Sequence, residues 1–92
     1  MAGNVTTGNP WALDTAGVIQ TRPVTIKSMT WNSPTTATHT LDVTDNAGHK
    51  IWAETAIAGG TGLNYEWNKQ DITFSGFNLV TIDSGTLYVY IE

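Results

Sequence analysis

Residues 77–91 of this chain are two runs of β-forming side chains, Phe77–Ile82 and Thr86–Ile91, separated only by Asp83, Ser84 and Gly85. Valine, isoleucine, threonine, tyrosine and phenylalanine fill both runs, and these residue types suit a pleated, half-buried surface. Gly85 supplies the positive φ that a three-residue loop with a bulge requires, so the segment predicts a β-hairpin. With Ile82 opposite Thr86, one face carries Phe77, Leu79, Thr81, Leu87, Val89 and Ile91. The other carries Asn78, Val80, Ile82, Tyr88 and Tyr90. A ribbon apolar on both sides needs a core against one face and a second sheet, another subunit or a larger surface against the other. Val80, Ile82, Tyr88 and Tyr90, joined by Trp11 near the start of the chain, are therefore the candidate interface.

The rest of the chain repeats the β signature. Charged residues make up only 13% of the sequence, helix formers are sparse, and threonine recurs throughout. Residues 18–21 and 23–31 read as strands, with Pro23 at the permitted first position of the longer one. Val24 and Ile26 share one parity while Met29 and Trp31 share the other, so a bulge near Ser28 is expected to bring all four to one side. In residues 38–44, His39, Leu41 and Val43 alternate with Thr38, Thr40, Asp42 and Thr44, the pattern of a half-buried strand. Asp45, Asn46, Ala47 and Gly48 form a turn, and residues 50–55 return as its hairpin partner. Residues 56–62 are a glycine-rich loop, followed by short strands at 63–67 and 72–74. About seven short strands predict an all-β fold, a single-domain antiparallel β-sandwich or jelly-roll-like barrel over residues 11–92. Residues 1–10 are expected to be a flexible N-terminal arm that orders on a partner.

Ninety-two residues bury only about 60% of their unfolded surface, so association would add to a thin margin of stability. Cysteine is absent, which removes a disulfide framework and thiolate metal ligation and suits folding in a reducing cytosol. Eight acidic and four basic residues give a net charge of −4. Arg22, Lys27, Lys50 and Lys69 are scattered, unlike the basic stripe that nucleic acid requires. No apolar run approaches the length of a membrane span, and the N-terminus has no charged-then-apolar leader pattern, so neither membrane nor export is expected.

No catalytic or cofactor motif rises above background. His39 and His49 are too far apart in sequence for a paired metal motif and have no cysteine to complete a zinc set. Asp42, Asp45 and Asn46 near Gly48 miss the alternating-oxygen spacing of a calcium loop, and turn chemistry accounts for them. Gly59, Gly60 and Gly62 lack the Lys-Ser/Thr of a phosphate loop. Ser28, Ser33, Ser75 and Ser84 lie in no nucleophile-elbow context. The expectation is a protein with no enzymatic activity, no metal and no cofactor. Trp11, Trp31, Trp52 and Trp67 are read first as core or contact anchors. In an alternative reading, Trp31, Trp52 and Trp67 form an aromatic platform on which sugar rings stack.

Several segments together resemble a known group. Asn9-Pro10-Trp11 with residues 13–17, the strand at 26–31, residues 43–52 and residues 83–90 are similar to small proteins encoded in tailed-bacteriophage genomes, often beside capsid or other virion genes. The resemblance spans most of the chain, and its motifs are turns and strand faces. It implies a virion component made in the bacterial host cytoplasm: a capsid decoration or cement protein that binds the major capsid protein or another virion protein and stabilises the head. A dimer or trimer fits this role. The alternatives are a carbohydrate-binding or receptor-contacting appendage and a head-tail connector or tail component.

Overall fold

A computed structural model describes residues 4, 6, 10–57, 59, 64–68 and 71–91. Most of the predicted arm, most of the glycine-rich loop and Leu63 lie outside the described residues. Among those described, every regular element is a strand: β1 (Trp11–Leu13), β2 (Gly17–Gln20), β3 (Val24–Asn32), β4 (Thr40–Thr44), β5 (Lys50–Thr55), β6 (Asn64–Trp67), β7 (Ile72–Phe74), β8 (Phe77–Ile82) and β9 (Thr86–Ile91). The ninth strand, beyond the eight segments read as strands in the sequence, is Trp11–Leu13, which pairs with β9; β6 and β7, both expected, pair with the two halves of β3 as one interrupted edge.

The strands form two antiparallel sheets, β1-β9-β3-β6 with β7 also on β3, and β2-β8-β4-β5. The pairs nest: β1 with β9, β2 with β8, β3 with β6 and β7, and β4 with β5. Successive pairs alternate between the sheets, so the chain is one long antiparallel ribbon rolled upon itself. Counting β6 and β7 as one position gives eight strands in jelly-roll order, a β-sandwich as the alternating pattern predicted.

The C-terminal hairpin is the element that differs. Both of its strands occupy the predicted spans, but β8 lies in one sheet between β2 and β4, and β9 lies in the other between β1 and β3. Each has partners on both edges and none left for the other, and residues 83–85 carry the chain across the sandwich. Alternation nevertheless holds. Phe77 and Leu79 point inward from one sheet, Leu87 and Val89 from the other, and all four are buried.

Register shifts in four strand pairs help decide which side chains reach the core, and two of them bear on the outer faces. In β3 the register against β9 shifts between Ile26 and Ser28, which turns Val24, Ile26, Met29 and Trp31 all inward. This is the bulge expected near Ser28. In β8 the pairing with β4 runs from Thr81 opposite Asp42 to Leu79 opposite Val43, leaving Val80 as the extra residue. Ile82, opposite the buried Leu41, therefore packs against the core instead of sharing the face of Val80. Across the core, Trp11 of β1 meets Phe77 of β8 edge-on with ring centroids 5.8 Å apart, tying the sheets together.

Candidate functional site

The β1-β9-β3-β6 sheet turns a row of small and polar side chains outward: Ala12 opposite Tyr88, Tyr88 opposite Thr30, and Thr30 opposite Glu66. One step along, Tyr90 stands opposite Ser28. Tyr88 and Tyr90 are two residues apart on one strand, so their rings rise side by side from the same face. Tyr88 is half-buried and Tyr90 is 41% exposed.

Beside the tyrosines the sheet has a gap. β6 pairs with Met29–Asn32 and β7 with Val24–Ile26, so the bulged stretch of β3 at Lys27 and Ser28 faces the break between β6 and β7. A depression of about 80 Å³ opens there, lined by Ser28, Met29, Thr30, Glu66, Trp67 and Asn68. The side chains of Met29 and Trp67 are buried in the core, so those two residues offer backbone to the depression, and its lining is chiefly polar. Lys27 of the bulged stretch and Asp71, just before β7, approach to 3.9 Å.

The opposite sheet faces outward with a row of Val18, Asn78, Thr44 and Lys50. Val18 is 66% exposed and Val80 50%, and Lys50 Nζ lies 2.6 Å from Asp42 Oδ1, neutralising that carboxylate. The five residues of the candidate interface thus do not form one patch. Tyr88 and Tyr90 lie on one outer face, Val80 lies on the other, and Ile82 and the 3%-exposed Trp11 belong to the core.

The tryptophans proposed as a sugar platform turn inward. Trp31 is fully buried, Trp52 and Trp67 are nearly so, and no coplanar indole faces are presented to solvent among them. Trp31 donates Nε1–H to the Ser84 carbonyl at 2.8 Å and Trp52 donates to Glu54 Oε1 at 3.2 Å. Trp31 also packs on Tyr65 with centroids 5.5 Å apart, and Trp67 on Phe74 at 6.1 Å.

One contact was not legible in the sequence. His39 Nδ1 lies 2.8 Å from Ser84 Oγ, a serine–histidine pair from residues 45 positions apart. Its surroundings are those of a clasp. Ser84 Oγ accepts the Thr35 N–H at 2.9 Å, and the neighbouring Asp83 carboxylate accepts from Thr40 N–H and Oγ1 instead of orienting the imidazole. Those two Thr40 bonds hold Asp83 below the usual carboxylate range, against a smaller upward push from burial and with help from the nearby His39. The loop it secures is strained, with Ser33 at φ 54° and the β-branched Thr38 at φ 74°.

At the other end of β4, the Asp45 carboxylate accepts the N–H groups of Ala47 and His49 and meets the His49 ring at 3.3 Å. Burial pushes this carboxyl up, but the His49 and Ala47 N–H groups and the His49 ring together hold it below its ordinary value. No group of three or more His, Asp or Glu converges on a metal-sized space among the described residues. Asn4 of the predicted arm accepts from Asp14 and Thr15 N–H and donates to Thr15 O, anchoring that residue on the turn after β1. No protein-family model, curated protein or solved structure matches the chain.

Proposed function

We propose that this protein is a non-enzymatic structural component of a bacteriophage particle, a head decoration or cement protein that seats the outer face of its β2-β8-β4-β5 sheet on the capsid. The observation that carries the reading is the pair of exposed valines, Val18 and Val80, on a sheet face where the Asp42 carboxylate is neutralised by Lys50. Val18 stands opposite Asn78, which makes Val80 its diagonal neighbour at about 7–8 Å. Covering the two valines gains apolar burial, while the pairing of Lys50 with Asp42 leaves the face without net charge, although desolvating that ion pair and Asn78 offsets part of the gain.

The resemblance to small phage proteins supports the setting, and the jelly roll, an architecture used by viral capsid and lectin domains, is compatible with it at the level of fold analogy. A small contact is enough for this role, because the effect on a shell multiplies over many copies. A closed dimer or trimer would extend the surface further.

The test is co-sedimentation with shells assembled from the major capsid protein of the phage genome in which the gene is found. Binding that raises the shell's melting temperature and is lost in a Val18→Asp/Val80→Asp double variant of unchanged circular dichroism is the expected result. Absence of binding, or binding indifferent to both valines, overturns it.

A further inference from the structure

We draw no further inference here: the strongest candidate, the outer face of the β1-β9-β3-β6 sheet on which Tyr88 and Tyr90 stand near the depression at the break between β6 and β7, carries none, because nothing in the structure shows what covers it and the break itself is formed by residues 69–70, outside the described residues.

Discussion

Two loops of similar composition close opposite ends of β4. Asp45–Gly48 joins β4 to β5 within one sheet, and Asp83–Gly85 carries β8 to β9 between sheets. Both start with an aspartate whose carboxylate accepts backbone N–H, two for Asp45 and one for Asp83, and both end on a glycine in the left-handed region, at φ 86° for Gly48 and 77° for Gly85. They differ in where the bonds go. Asp45 takes the N–H groups of Ala47 and His49, inside its own turn. Asp83 takes Thr40, 43 residues away, while Ser84 takes Trp31, Thr35 and His39. A turn whose aspartate is satisfied by its own backbone makes a hairpin, even though Asn46 at its tip reaches out to Thr21 and Ser75; a turn whose aspartate and serine are claimed by other elements can lie across the end of a sandwich. Composition alone does not separate the two.

The sharpest test of this contrast is to add the same methyl group to each glycine. At Gly48 an added Cβ meets nothing within 4 Å, whereas at Gly85 it lands on the Asn32 carbonyl oxygen and comes within 3.0 Å of Trp31 Nε1. Gly48→Ala therefore costs only the left-handed backbone penalty, about 1 kcal/mol. Gly85→Ala adds overpacking against fixed backbone and is expected to cost about 3–4 kcal/mol. Urea unfolding of both variants measures the difference, and equal costs would break the distinction between an open turn and a buried crossing. Next in size is Trp31→Phe, which removes the Nε1–H donor to Ser84 O and shrinks a fully buried side chain. A loss of about 2–3 kcal/mol is expected, and loss of protection at the amides of residues 83–85 in hydrogen exchange would place the damage in the crossing.

The same contrast explains what the amino-acid sequence discloses and what it leaves hidden. Alternation assigned Phe77, Leu79, Leu87 and Val89 correctly to the interior because inward parity is the same in a hairpin and in an arch between sheets. It carries no information about which strand lies alongside. The bulge in β3 was legible because Val24 and Ile26 fall on the opposite parity from Met29 and Trp31, a conflict that only an extra residue resolves. The bulge at Val80 was not, because Val80, Thr81 and Ile82 are all acceptable on either face, and so Ile82 was placed with the surface. Tyr88 and Tyr90 were legible as a shared face for the same periodic reason. The depression beside them was hidden, since it requires the break between β6 and β7 to fall opposite the bulge in β3, a coincidence of two strands 40 residues apart.

Acid provides a test of both loops at once. Asp45 and Asp83 are each held below the ordinary aspartate value of 3.8 in the folded protein. The unfolded chain then binds more protons than the native state near that pH, so the stability these carboxylates contribute is present above about pH 4 and is lost as pH falls through their folded values. The melting temperature should decline from about pH 4 downward, and less steeply in Asp45→Asn and in Asp83→Asn than in the parent. Hydrogen exchange at low pH sharpens the comparison. Protonating Asp45 should open residues 45–49 alone, whereas protonating Asp83 should expose Thr40 as well, because only the second carboxylate reaches another element.

The smallest effects come from the single side chains that fasten each end. Asn46 Nδ2 donates to the carbonyls of Thr21 and Ser75 at 2.8 and 3.0 Å, pinning the hairpin tip to two neighbouring loops. Ser84 Oγ holds Thr35 N–H and His39 Nδ1 at the other end. These groups lie at or near the surface, where water substitutes, so Asn46→Ala and Ser84→Ala should each cost only about 1 kcal/mol. Their consequences should still differ. Removing the Asn46 amide leaves two carbonyls in relaxed backbone, and solvent replaces the lost bonds without movement. Removing the Ser84 hydroxyl releases a loop that holds Ser33 and Thr38 at positive φ, and strain persists only while its surroundings enforce it. Ser84→Ala should therefore increase proteolytic cleavage within residues 33–39 well beyond what its small stability loss predicts, while Asn46→Ala leaves cleavage at its own end near the parent rate. Equal susceptibility at the two ends would mean that the clasp does not hold the strained loop.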